Sequence, residues 1–379
     1  MASVPLRYVT PAIGPQKSVP SPLFSPPRVL CGSEAYLCLW EAKRKISIFA
    51  VQRGILLYTL FGIPPTFAHK YPTNMNLDRN LKNNKTELLA YFRSRANEIM
   101  SELALLYSAA DYKKKANALN KAIIQSRDNL ISILEETARA QNWTNKEVLE
   151  CVLMITYTND VVMLESRNAV WQYEYMAFSR RVGELWEPFC KQCFKHPSTG
   201  ISSFIPPLFS EVKESLTTEI VTYIDGLTIQ PYEKTQLRRY YDKVWGLVTS
   251  GEIQLECDLH FTDGTTKYIV DFKSGFGSNE KGNTNRLLLV GSIYQNIETE
   301  NYKCLIFVRS TENNHYLTTL QNSGVWETSC GPDTYSKIYQ FTGFDIHNWI
   351  ENNIDWMNDF APQMRDTVTH RNLQKYLIW

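Results

Sequence analysis

No run of this sequence is apolar enough to cross a bilayer, and neither sign of charge prevails. The most apolar window, Ile46 to Ile63, has Gln52, Arg53 and Gly54 near its middle. A charge at bilayer depth is costly, so a buried helix or strand is expected there and no membrane association. The start, Met1 to Arg28, is dotted with Pro and Ser and has no continuous apolar core, so an export signal is not expected and the expected setting is cytoplasmic. In that setting the eight cysteines read as reduced thiols. Lys and Arg number 40 against 39 Asp and Glu, so bulk charge favours no partner, and a nucleic acid would need a local basic surface. The Gly-x-x-x-x-Gly-Lys-[Ser/Thr] phosphate cradle is missing, which argues against a nucleotide cofactor. Internal repeats are missing as well.

A second Cys-x-x-Cys is also absent. Cys190, Cys193 and His196 fall at i, i+3 and i+6, on one side of a helix. A zinc site needs a fourth ligand, usually from a second paired motif, so packed structural thiols are the favoured reading.

What is present divides into two textures. Met1 to Pro27 is proline-rich and reads as an arm; Leu30 to Phe67 holds short apolar runs of no clear period; Thr73 to Lys85, with five Asn, reads as a loop. Thr86 to about Val170 is helical in pattern, with stripes at Leu88, Leu89, Tyr91, Phe92 and Ala96 and at Ile123, Ile124, Leu130, Ile133 and Leu134. Thr144 followed by Glu147 fits a capping box opening a helix at Val148. A helix over Asp111 to Arg127 carries Lys113, Lys114, Lys115, Lys121 and Arg127, either a solvated face or one that contacts phosphates. A long helix is expected from about Ser166 to His196, broken near Pro188.

Beyond Pro206 and Pro207, strands and helices alternate. Strands are expected at Glu219–Ile229, Glu252–Phe261, Lys267–Lys273, Cys304–Arg309 and around Trp326. Helices are expected at Tyr232–Val248, Thr284–Ile297, Tyr335–Phe341, Ile346–Phe360 and Asp366–Tyr376. The expectation is an α/β core with a mixed sheet at 165–379, and an arm plus helical region at 1–164, for recognition or dimerisation.

The stretch from Glu252 to Lys273 carries the chemistry. Ile253, Leu255, Cys257, Leu259 and Phe261 alternate with Glu252, Gln254, Glu256, Asp258 and His260, the period of a strand with one buried face. In the second strand Lys267, Ile269, Asp271 and Lys273 share a face. Asp263-Gly264 suits a two-residue turn pairing Thr262 with Thr265. That register sets Asp258 opposite Ile269, Glu256 opposite Asp271 and Gln254 opposite Lys273. Three carboxylates and one amine then converge. Lys273 alone does not balance three acids, so a bound hard cation is the natural counter-charge, and oxygen ligands point to Mg²⁺, with Mn²⁺ a substitute.

Asp258 followed thirteen residues later by Asp271-Phe272-Lys273 resembles the PD-(D/E)XK nuclease motif, with Cys257 standing where the motif's name has Pro. Upstream, Arg181-Val-Gly-Glu-Leu-Trp-Glu187 resembles the Arg-x-Gly-x-x-x-Glu helix of many restriction endonucleases. The resemblance covers roughly Arg180 to Ile350 and implies a restriction-endonuclease-like core. It implies that Asp258, Asp271 and the Phe272 carbonyl hold metal, that Lys273 orients the attacking water, and that Glu187, or failing it Glu184, is an outer acid. Glu256 stays open as a rival to Asp258. Gln295 is an accessory polar residue in this scheme. Ser274, Asn279, Lys281, Asn283 and Arg286, in the Gly-rich segment after Lys273, are either plain surface or contacts to DNA.

The implied activity is Mg²⁺-dependent, site-specific cleavage of double-stranded DNA to 5′-phosphate and 3′-hydroxyl ends by a homodimer of type II restriction character. A repair, phage or modification-dependent nuclease on the same core, or a DNA-binding protein with an inactive core, are the alternatives.

Overall fold

A computed structural model describes residues 76–247, 253–277, 280–297 and 300–379. The Pro-rich start and the expectations for Leu30 to Phe67 lie outside these residues. Lys70–Trp379 forms one compact unit.

Helices come first. The stripes at Leu88, Leu89, Phe92 and Ala96 and at Ile123, Leu130 and Leu134 become the buried faces of α1 (Lys85–Leu106) and α2 (Tyr112–Ala140). Next is α3 (Asn145–Val170), opened by the expected box: Thr144 accepts from the Glu147 N–H, and the Glu147 carboxylate accepts from the Thr144 N–H at 2.8 Å. α3 is buried almost all round, from Val148 to Asn168, as a helix at the centre of a bundle must be. Leu164 lies inside α3.

The long helix expected from Ser166 breaks at Trp171–Glu174 instead of at Pro188, which sits inside α4 (Tyr175–Lys195). Side chains make that break. Asn168 Oδ1 accepts the Tyr173 N–H at 3.0 Å, and the Arg167 guanidinium lies between the rings of Trp171 and Tyr173, 4.3 and 3.9 Å from their centroids.

The α/β part follows: β1 (Ser202–Ser203), α5 (Phe209–Gly226), α6 (Pro231–Leu247), β2 (Leu259–Thr262), β3 (Lys267–Lys273), α7 (Lys281–Gln295), β4 (Tyr302–Val308), α8 (His315–Asn322) and β5 (Trp326–Cys330). Four more helices close the chain: α9 (Pro332–Thr342), α10 (Ile346–Asn353), α11 (Trp356–Asp359) and α12 (Pro362–His370). Asp355 separates α10 from α11 by accepting the Asn358 N–H, where one helix is expected. The sheet runs β1-β2-β3-β4-β5, antiparallel through β3 and parallel from β3 to β5.

Both faces of the sheet are covered, so β3 is buried from Tyr268 through Phe272. On one face Phe261, Tyr268, Phe272 and Phe307 meet Trp186 and Phe194 of α4 and Phe341 of α9. On the other, Ile269, Cys304, Ile306, Val308 and Trp326 meet Leu287, Val290 and Tyr294 of α7 and Leu317 and Leu320 of α8.

Two strand expectations give way. Glu219–Ile229, rich in β-branched residues, belongs largely to α5. The hydroxyls of Thr217, Thr218 and Thr222 bond back to the carbonyls of Lys213, Glu214 and Thr218, which serves a helix and not a ladder. Of Glu252–Phe261, where Glu252 lies outside the described residues, pairing begins at Leu259. Upstream, buried Leu255 and Cys257 still alternate with exposed Gln254 and Glu256, but side chains take the backbone groups. Tyr294 Oη donates to the Leu255 carbonyl at 3.0 Å, and the Cys257 N–H donates to His260 Nε2 at 3.2 Å.

The hairpin loop also differs from expectation. It has four residues, Asp263 to Thr266, with Thr262 paired to Lys267. Asp263 Oδ1 accepts from the N–H groups of Thr265 and Thr266, at 2.9 and 2.8 Å, and these bonds hold its carboxyl well below the usual range. An Asp that bonds forward in this way favours the longer loop over the tight turn. The register therefore moves by two residues, an even step, so every side chain keeps its face.

Candidate active site at the open end of the central hairpin

Asp271 and Lys273 share a face of β3 because they are two residues apart. The observed register decides which upstream acid joins them. Leu259 pairs with Val270, so one step further out Asp258 comes beside Asp271, and Glu256 does not. Asp258 precedes the first paired residue of β2, and its Oδ2 accepts the Phe272 N–H at 2.7 Å. A carboxylate thus replaces the ladder partner at this edge of β3. Glu256 is exposed.

The charges are tightly coupled. Asp271 is 1% exposed. Its Oδ1 pairs with the Lys273 ammonium, and its Oδ2 takes Arg286 Nη2 at 3.0 Å. Burial pushes the Asp271 carboxyl up; Lys273 pulls it down, Asp258 pushes it further up and Arg286 pulls it down. The balance is upward, as desolvation of a carboxylate dictates. Burial, then Asp271, also pushes the Cys257 thiol up to about 12. Lys273 Nζ further donates to the Phe272 carbonyl at 3.2 Å.

This arrangement is the test of a metal. Among the described residues no three of His, Cys, Asp and Glu gather as a ligand set. What is present is two carboxylates and one carbonyl, all hard oxygen donors. The Lys273 ammonium lies against Asp271 Oδ1 and the Phe272 carbonyl, two oxygens a cation would take. A positive charge already stands there, and these oxygen donors would suit one small hard cation in its place.

Other expected site residues are placed elsewhere. Glu187 pairs with Lys191 one turn along α4 at 2.7 Å, and Glu184 with Arg181 at 2.9 Å; neither joins the two aspartates. Complementary charge one turn away on the same helix is the nearer partner for each. Gln295 donates to the Gly324 carbonyl at 3.1 Å. It lies nine residues beyond Arg286, about 13 Å along the helix axis, towards the start of β5 and away from Lys273. Arg286, expected as surface or DNA contact, is exposed and also pairs through Nη2 with Asp271. Asn283 donates to Glu280 at 3.1 Å, Lys281 and Ser274 are exposed, and Asn279 lies outside the described residues. On α2, Lys113, Lys114 and Lys121 are exposed, whereas Arg127 is mostly buried and pairs with Asp128.

Cys190 and Cys193 lie in the apolar interior, where burial pushes both thiols up; His196 faces Glu135 at 3.3 Å.

His260 is a site residue that the sequence motif does not name. It is buried, and burial pulls its imidazole down to about 4. The neutral ring accepts the Cys257 N–H, fixing the residue before Asp258. Its only signal in the sequence is a polar residue two places from an acid on the same strand face.

The motif glycine has a physical reason. A Cβ on Gly183 would lie 2.8 Å from Ser274 Cβ, so α4 approaches the chain directly after Lys273 at this point. Trp186, one turn on, meets Phe272 at 5.6 Å between centroids and donates to Tyr335 Oη at 2.9 Å. Gly183→Ala is expected to cost about 1–3 kcal/mol of stability by overpacking. Chemical denaturation measures it, and an unchanged midpoint refutes the close approach. No protein-family model, curated protein or solved structure matches this chain, so the assignment of the site rests on its geometry.

Proposed function

We propose that the protein is a metal-dependent endonuclease of the PD-(D/E)XK type that cleaves double-stranded DNA. The observation that carries the reading is Asp258 brought beside Asp271-Phe272-Lys273 at the open end of a hairpin, with its Oδ2 on the Phe272 N–H. An antiparallel hairpin continued by parallel strands, with helices on both faces, supports a restriction-endonuclease-like core. Type II character, a homodimeric state and 5′-phosphate and 3′-hydroxyl products belong to the same proposal.

Asp258, Asp271 and the Phe272 carbonyl would hold Mg²⁺, or Mn²⁺ in its place. Such an ion, when bound, lowers the pKa of a coordinated water and neutralises charge on the phosphate. Lys273 and Arg286 offset part of the burial that disfavours the Asp271 carboxylate. Lys273, released from Asp271, turns its ammonium to the attacking water and to the negative charge that grows on the phosphate. His260 holds the backbone that aims Asp258. Two carboxylates support one ion more readily than two, since Glu187 is engaged with Lys191.

The test is incubation of the full chain with duplex DNA. Cleavage is expected with Mg²⁺ or Mn²⁺, to stop on chelation and to return with excess metal. Discrete fragments mean a site-specific enzyme, and sequencing their ends gives the site and the cut. A smear means a nonspecific nuclease on the same core. Binding without cleavage under every metal condition means an inactive core and refutes the enzyme.

A further inference from the structure

The helical hairpin of α5 and α6 interrupts the chain between β1 and β2, and one side of it is exposed among the described residues. None of the side chains described on α6 is fully buried. Its inner side leans on α5: Lys234 donates to the Asp225 carbonyl at 2.7 Å, Arg238 pairs with Asp225, Tyr241 bonds Thr217 at 3.1 Å, and Trp245 meets Phe209 at 6.0 Å.

Its outer side presents Tyr232, Gln236, Arg239 and Lys243, at i, i+4, i+7 and i+11, which is one stripe of a helix. All four are exposed, and Tyr240 beside them is 58% exposed with Lys243 over its ring at 5.5 Å. The stripe carries cations, hydrogen-bond donors and aromatic rings, and no carboxylate. Glu233 is turned to the Gln230 N–H at 2.9 Å, and Asp242 lies at the flank. Phosphate oxygens and base edges are recognised by these residue types. A second copy docked on the same stripe by a two-fold axis would gather two Arg239 and two Lys243 in one interface whose stripe offers no carboxylate, which like charge opposes. The root of the hairpin fixes its side: Val212, Phe209 and Leu216 pack into the core that contains Ile269 and Cys257, on the sheet face that carries Asp271.

We infer that the outer stripe of α6 is a docking surface for double-stranded DNA, with Arg239 and Lys243 against the phosphate backbone. This inference rests on the nuclease reading.

The experiment compares the full chain with Arg239→Glu/Lys243→Glu. Binding to a labelled duplex of mixed sequence is titrated in EDTA over a salt series, with sedimentation and cleavage measured in parallel. Affinity is expected to fall on the order of tenfold or more, and the salt slope by about 0.9 for each lost phosphate contact, with melting and sedimentation unchanged. Unchanged affinity and slope overturn the inference while wild-type cleavage leaves the nuclease reading standing. Loss of binding together with a smaller assembly overturns it in favour of a second copy. A wild-type chain that neither cuts nor binds duplex overturns the nuclease reading itself.

Discussion

Asp271→Asn is expected to reduce metal-dependent cleavage on the order of a thousandfold or more, equivalent to about 4 kcal/mol of lost transition-state stabilisation. The amide keeps the shape of the carboxylate and removes its charge, the attraction that would hold a cation beside Phe272. Folding is expected to survive. The substitution removes a carboxylate that burial disfavours, and the two cations it leaves, Lys273 and Arg286, retain 17% and 41% side-chain exposure to water. Asp258→Asn is expected to lower cleavage to a similar degree, and exposed Glu256→Gln to leave it close to wild type. Single-turnover cleavage of a plasmid measures all three. Full activity in Asp258→Asn with none in Glu256→Gln would show that the upstream acid has been misassigned.

Asp160→Asn is expected to stabilise the protein by up to about 4 kcal/mol above neutral pH, and by little in acid. Asp160 lies within α3 at 1% exposure, and its Oδ1 has no hydrogen-bond partner among the described residues. Burial pushes its carboxyl up to about 7, and Arg127 of α2 and Arg181 of α4 only partly offset that. Both arginines are engaged elsewhere, with Asp128 and Glu184.

A folded pKa above the unfolded one means that the folded state holds the proton longer. The stability this contributes is intact below the unfolded value of about 3.9. It is lost as pH rises through the folded value near 7. Asparagine does not titrate, so the gap between variant and wild type widens from about pH 4 to about 7 and is level beyond. Urea denaturation across that range tests this; a gap that stays constant would mean that Asp160 ionises in the folded protein as freely as in the unfolded chain.

Several features were legible in the residues because they depend only on local geometry. Strand period placed Asp271 with Lys273, and helix period placed the buried stripes of α1 and α2. Thr144 and Glu147 announced the start of α3 through two bonds within four residues. The partners of Glu187 and Gln295 were not legible. A motif gives their spacing along the chain, while Lys191 and the Gly324 carbonyl decide where their side chains go.

The sequence by itself determined which side chains share a face, since alternation is a property of the extended backbone and an even shift of register preserves it. Only the tertiary structure decided the register, and with it the choice of Asp258 over Glu256. That choice depends on the bonds of Asp263 within its loop, and on His260 and Tyr294 drawing the upstream backbone out of the ladder. None of these contacts leaves a periodic trace in the sequence.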